Sequence, residues 1–91
     1  MKVVWSDEAK KDLEKALADR AAYDLRSAAT LLDRISERVG QLSDFPEIGP
    51  VSHRRPALRQ LVVTGTPYLV FYQRRDRMLR IIALVHASQS D

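Results

Sequence analysis

The chain has 91 residues, which is enough for one domain and too few for two. Its composition is 45% hydrophobic and 30% charged, which is typical of a globular protein and excludes a disordered chain. It has no cysteine, which excludes disulfides and thiolate zinc sites, and no apolar run near the ~20 residues that a membrane span needs. A cytoplasmic protein is therefore expected.

Charge is distributed unevenly along the chain. Residues 1–50 carry eight Lys and Arg against ten Asp and Glu, whereas residues 51–91 carry seven Arg, no Lys and two Asp. Guanidinium groups bind carboxylates and phosphates in a bidentate manner and stack on bases, which ammonium groups do not. We therefore expect the second half to face an anionic partner.

The first half of the chain predicts a short strand and two helices. Lys2–Trp5 is rich in strand-forming residues. Ser6 is a good N-cap for a helix over 6–22, in which apolar residues recur at helical spacing. After a break at Tyr23-Asp24, the strongest periodicity in the sequence predicts a second helix over 25–43, antiparallel to the first.

The second half predicts an antiparallel meander. Phe45 follows the second helix and is expected to close the bottom of the core. Three runs of branched and aromatic residues predict strands over Leu58–Thr64, Tyr68–Gln73 and Leu79–Val85, with residues 74–77 as a hairpin loop. The order β-α-α-β-β-β defines one α+β domain covering the whole chain, with a helical hairpin packed on a small antiparallel sheet.

Arginines on the predicted strands indicate a basic surface. Side chains alternate between the two faces of a strand, so Arg59 and Arg80 are expected on the face that the helices leave open. Such a surface would bind phosphate groups, with tyrosines available to stack on bases. The other binding candidates near it are Arg54, Arg55, Tyr68, Tyr72 and Arg77. The alternative is a solvated sheet face whose arginines are paired.

Two histidines offer side chains that titrate near neutral pH. His86, at the end of the last predicted strand, is a candidate general acid or base. The alternative is a histidine that caps or packs at the strand end, and His53 has the pattern of an exposed loop residue. Two histidines without cysteine give no metal-ligand spacing, so no metal and no cofactor are expected. The sequence has no P-loop, Rossmann or nucleophile-elbow motif.

Six short segments, taken together and in order, resemble the ParE/RelE superfamily of type II toxin–antitoxin toxins, and most closely its ParE branch. The matching residues are Val4-Trp5-Ser6 with Ala9, Asp12 and Leu13; Ala28, Leu31, Arg34 and Ile35; Leu42, Phe45-Pro46 and Gly49; Leu58-Arg59 with Leu61-Val62-Val63; Pro67 to Tyr72; and Ile81 with Leu84-Val85-His86. The resemblance covers nearly the whole chain.

The resemblance implies a toxin that arrests growth and is neutralised by a cognate antitoxin, whose C-terminal segment wraps the toxin. Their hetero-oligomeric complex is expected to bind its own operator through the antitoxin. In the ParE branch the implied target is DNA gyrase. In the RelE branch the implied target is mRNA on the ribosome. Basic residues on the sheet and a C-terminal tyrosine or histidine cut this mRNA without a metal ion.

Carried over to this chain, the nuclease roles would fall on Arg59, Arg80 and His86. Tyr68, however, occupies the place where many of these nucleases carry a catalytic arginine, and acids such as Asp33 replace the lysines of their second helix. These departures favour a gyrase inhibitor that is not an enzyme over a metal-independent endoribonuclease. A member without toxic activity is the third alternative. In each case an acidic antitoxin segment is expected on the arginine-rich sheet or along the helical hairpin.

Overall fold

The computed structural model describes residues 1–89, and its elements follow the predicted β-α-α-β-β-β order. The elements are β1 (Lys2–Trp5), α1 (Asp7–Tyr23), α2 (Leu25–Asp44), β2 (Arg59–Val62), β3 (Tyr68–Arg75) and β4 (Met78–His86), followed by a 3-10 turn over Ala87–Gln89. Residues 90–91 lie outside the described part. Neither helix is long and apolar enough to cross a membrane.

Two polar side chains set the helix boundaries. The Ser6 hydroxyl accepts a hydrogen bond from the Ala9 N–H at 3.0 Å, which caps α1. The Ser6 N–H also donates to the Ile81 carbonyl at 2.9 Å, so the start of α1 is fixed against β4. Asp24 ends α1 through its backbone N–H and caps α2 through its carboxylate. The predicted helix limits are therefore confirmed to within one residue.

The sheet has four strands in the order β1-β4-β3-β2. The strands β2, β3 and β4 form the predicted antiparallel meander, and β3 is central as expected. β1 pairs in parallel with β4, with Val3 opposite Leu79, so the complete sheet is mixed. The parallel pair is possible because the two helices form the crossover between β1 and the meander.

The core lies between one face of the sheet and the helices. Leu31, Ile35, Val39 and Leu42 form the buried stripe of α2 that the periodicity predicted. They belong to one cluster with sheet residues that include Val70 and Ile81. The prediction for Phe45 is wrong, because its side chain is 66% exposed and Leu42 is fully buried instead. α2 ends at Asp44, and Pro46 cannot continue the helix.

A β-bulge divides β4 into two parts. Tyr72 is opposite Ile81 but Phe71 is opposite Ala83, so Ile82 is the extra residue in the ladder. The face alternation therefore shifts by one residue, and Leu84 joins Leu79 and Ile81 in the helix-side core. The uniform alternation expected for this strand is correct only before the bulge.

The β3–β4 hairpin turn is tighter than predicted. The strands extend to Arg75 and from Met78, so the loop is Asp76 and Arg77 rather than residues 74–77. Both loop residues have positive φ, at 52° and 63°. This is the geometry of a type I′ turn, which matches the twist of the flanking strands. Arg77 therefore occupies a position where glycine or asparagine is usual.

We expect Arg77→Gly to raise the free energy of unfolding by roughly 0.5–1 kcal/mol, because glycine removes the steric cost of the left-handed backbone. Urea denaturation of the purified chain measures this. Gly65→Ala is the opposite control: Gly65 has φ of 79°, and a Cβ there would lie 2.5 Å from Arg34 Nη1, so stability should fall. A lower stability for Arg77→Gly would contradict the strain argument.

Candidate functional site

A buried tyrosine holds the loop between α2 and β2 against the sheet. The Tyr72 side chain is fully buried, and its hydroxyl accepts a hydrogen bond from the Gly49 N–H at 2.9 Å. Arg59 donates from Nη1 to the Gly49 carbonyl at 2.8 Å. A Cβ at residue 49 would lie 2.6 Å from the Gln60 carbonyl oxygen, so the close approach requires glycine. These contacts are called the Gly49–Tyr72–Arg59 anchor below.

The predicted role of Tyr72 as a stacking residue is wrong, because its ring is not accessible to a partner. Burial raises the pKa of the Tyr72 hydroxyl, and this effect exceeds the lowering by the Gly49 hydrogen bond and by the charge of Arg59. Tyr72 therefore stays protonated well into the alkaline range and acts as part of the core.

Arg59 and Arg80 lie on opposite faces of the sheet. Arg59 is directly opposite Tyr72, on the face that packs against the helices. Arg80 is opposite Gln73, the next residue along β3, and therefore points to the other face. The expectation that both arginines share the open face is wrong, because β2 presents its arginine in register with a core tyrosine.

His86 lies at the far end of β4, beside α1. Its ring makes an edge-to-face contact with Tyr68, with ring centroids 5.3 Å apart. Its Nδ1 accepts a hydrogen bond from the Ser88 N–H at 3.2 Å and lies 2.7 Å from the Ser88 hydroxyl oxygen. Arg80 is six positions away along the same strand, about 20 Å at ~3.4 Å per residue. Arg59, Arg80 and His86 therefore do not converge on one point.

One polar contact between α1 and the sheet that the sequence did not reveal is made by Asp12. Its carboxylate accepts a hydrogen bond from the Leu84 N–H at 3.0 Å, just beyond the bulge in β4. With Lys15, Asp19 and His86, it lines an open polar cavity of about 240 Å³. Helical spacing could have indicated this contact, because Asp12 lies between Ala9 and Ala16 on the buried side of α1. Within residues 1–89 no group of three or more acidic or histidine side chains is placed to hold a metal ion.

The loop after α2 brings two of the predicted arginines to the open face of the sheet. The Arg55 guanidinium lies 5.4 Å from the centroid of the Phe71 ring, within reach of a cation–π interaction. Arg54 and Arg55 line, with Gln60 and Phe71, a cavity of about 410 Å³. Arg77 is remote from it, in the hairpin turn.

Apolar surface is exposed at two places that the sequence reasoning missed. Tyr23 and Leu25, at the tip of the helical hairpin, are 95% and 76% exposed. A groove of about 590 Å³ runs between β1 and α1, with Trp5 and Leu13 in its lining and Lys10 among the charged residues beside them. Leu13 packs against the core and also lines this groove, a double role that helical periodicity does not reveal.

The fold and the comparisons with known proteins define a toxin of a type II toxin–antitoxin system. The family model described as ParE toxin of type II toxin-antitoxin system, parDE, matches residues 3–91, and the chain belongs to this family. A solved structure of the chromosomal ParDE TA system from P. aeruginosa has the same fold, with a TM-score of 0.83 and 19% identity over 94% of this chain and 95% of that chain. A search of curated protein sequences finds no significant match. The ParE branch of the resemblance is thereby confirmed.

We expect Tyr72→Phe to lower the free energy of unfolding by about 1–3 kcal/mol at neutral pH, because the buried Gly49 N–H loses its acceptor. Because the pKa of Tyr72 is higher in the folded protein than in the unfolded chain, its protonated hydroxyl contributes its full stabilisation below about pH 10. That contribution is lost as the pH rises above this value. The difference between wild type and variant should therefore narrow above pH 10 in urea titrations. Tyr23→Phe, at an exposed position, is the control and should change stability by less than ~0.5 kcal/mol. A difference in the free energy of unfolding that stays constant from neutral pH to above about pH 10 would contradict the role assigned to the buried Tyr72 hydroxyl.

Proposed function

We propose that this ParE-family toxin inhibits DNA gyrase in the cytoplasm and is neutralised by a cognate antitoxin. The family match supports the toxin class. The observation that carries the choice of target is the separation of Arg59, Arg80 and His86. Arg59 is bonded to a backbone carbonyl in the anchor, and Arg80 points to the opposite face of the sheet.

Cleavage of mRNA on the ribosome is less well supported by this geometry. Attack by a 2′-hydroxyl needs cationic groups on the scissile phosphate and a proton-transferring group within about 3 Å of the reacting oxygen. Arg80 and His86 are too far apart along β4 to meet at one phosphate group. A protein that acts by binding has no such requirement.

Purified toxin is expected to reduce supercoiling by gyrase and to accumulate cleaved gyrase–DNA complexes. The assay is agarose electrophoresis of relaxed plasmid with gyrase and ATP, with a detergent and protease step to reveal cleaved DNA. The matched control adds the same toxin after incubation with its antitoxin, which should restore supercoiling. Unaffected supercoiling without cleaved DNA would refute the gyrase proposal, and codon-phased cuts in primer extension on translated mRNA would replace it with the nuclease alternative.

The edge of β1 is the site that we assign to the antitoxin. The opposite edge is occupied: β2 residues bond to the Pro50 carbonyl and to Arg38, whose Nε donates to the Val62 carbonyl at 2.9 Å. β1 is the other terminal strand of the described sheet, and the apolar groove beside α1 runs along it. An extended segment could add to this edge and place apolar side chains in the groove. Acidic residues on that segment would complement Lys2 and Lys10.

We expect Lys10→Glu to weaken antitoxin binding about fivefold, because it places a like charge beside an acidic segment at the groove. Isothermal titration calorimetry with the antitoxin C-terminal peptide measures this. Lys11→Glu is the matched control, since Lys11 is also exposed on α1 but does not line the groove. Equal weakening by both variants would argue against docking in this groove.

A further inference from the structure

The end of the sheet that carries the β3–β4 turn is strongly cationic. Four exposed residues, Lys2, Arg75, Arg77 and Arg80, are called the hairpin cluster below. Asp76 is the single acid in the turn between them. Between residues of the described part the one ion pair is Lys15–Asp19, at 3.6 Å on the outer side of α1. Within residues 1–89, no carboxylate therefore forms an ion pair with a cation of the hairpin cluster.

Strand register places three of these cations on the same face. Lys2 and Arg75 are both opposite Met78, one on each side of β4, which separates their Cα atoms by roughly 10 Å. Arg80 lies two positions along β4 from Met78, about 7 Å away. The face is the open one, because Val3 and Leu79, the alternate residues of these strands, pack into the core. The arrangement is wider than one phosphate or carboxylate group and suits several anions in a row.

Arg77 extends the hairpin cluster from the tip of the turn. Its φ of 63° belongs to the left-handed region, which disfavours side chains other than asparagine, aspartate and glycine. Unfavourable backbone conformations of this kind concentrate at functional positions. Here the conformation belongs to a turn residue that follows Arg75 by two positions and precedes Arg80 by three, at the end of the two strands.

The surroundings favour a nucleic-acid backbone over an acidic peptide. Open-face neighbours in the same two rows are Val4, Gln73 and Met78. Lys2 lies at the apolar groove beside β1, whereas Arg75, Arg77 and Arg80 line none of the cavities described above. A peptide segment gains much of its affinity from side-chain pockets, whereas a duplex offers regularly spaced phosphates to a flat cationic surface. The hairpin is also held by eight paired positions between the two central strands, so the backbone positions that carry Arg75 and Arg80 are fixed before binding.

We propose that the hairpin cluster binds the phosphate backbone of a nucleic-acid duplex without sequence preference. This activity goes beyond the toxin's action on its protein target and does not depend on the identity of that target. Four phosphate contacts predict that log K falls with log salt with a slope of about −3 to −4. Phosphate contacts of this kind would bring the toxin to nucleic acid before it meets a protein bound there.

The test is fluorescence anisotropy of labelled 20-base-pair duplexes with full-length toxin freed from antitoxin, at 50 to 200 mM salt. The triple variant Arg75→Gln, Arg77→Asn, Arg80→Gln should bind at least tenfold more weakly at low salt, with a slope near −1. The matched control is Lys11→Gln, Lys15→Gln, Arg26→Gln, which removes the same charge from exposed positions of α1 and α2 and should keep at least half of the wild-type affinity. Parallel titrations with duplex DNA, duplex RNA and polyglutamate show which kind of polyanion the toxin binds.

Binding of either duplex that is lost in the hairpin variant supports the proposal, and the DNA and RNA arms show which duplex is preferred. Equal losses in the two triple variants would overturn it in favour of net charge, and binding of polyglutamate alone would overturn it in favour of an acidic protein segment. Absence of duplex binding at 50 mM salt would overturn it as well. Circular dichroism confirms folding. If the triple variant does not fold, Arg80→Gln alone should make the salt slope less steep by about 1, and an unchanged slope counts against the proposal.

Discussion

The buried hydroxyl of Tyr72 imposes a requirement on much of the surrounding structure. A hydroxyl without a partner in the core would cost about 1–3 kcal/mol, and the Gly49 N–H removes that cost. The N–H can approach only because residue 49 has no side chain, and the approach brings the whole loop after α2 onto the sheet. Arg59 then completes the anchor through the Gly49 carbonyl. Arginine is a common phosphate-binding residue, but Arg59 instead fixes this loop and lies on the helix side of the sheet, away from the open face.

The two faces and two edges of the sheet are divided among different tasks. The helices cover one face, and the loop after α2 covers part of the other around Phe71. The Pro50 carbonyl and the Arg38 side chain occupy the β2 edge. What remains accessible is the β1 edge with its apolar groove and the cationic end formed by the hairpin cluster. Because these surfaces do not overlap except at Lys2, an antitoxin and a nucleic acid have separate contact areas on the same small domain.

Periodic elements could be predicted from the sequence, whereas long-range register could not. The helices were predicted to within a residue because four apolar positions of α2 recur at helical spacing and Ser6 and Asp24 are recognisable caps. The bulge at Ile82 has no local signal, since an extra residue in a ladder is defined by its partner strand. Without the register of β2, the face of Arg59 was assigned incorrectly. The burial of Tyr72 was missed for a related reason, because its partner Gly49 lies in a loop without periodicity.

The parallel pairing of β1 with β4 also has a consequence for the timing of folding. β1 has its sheet partner in β4, so it cannot pair until the helices and the other two strands have been made. The helical hairpin can form early from local contacts, but Trp5 and the adjoining side of α1 stay uncovered until β4 docks. Closing so long a loop is entropically unfavourable and comes late. The nascent toxin therefore has no completed sheet before β4 docks, and the surfaces that depend on β4 come into being only after that step.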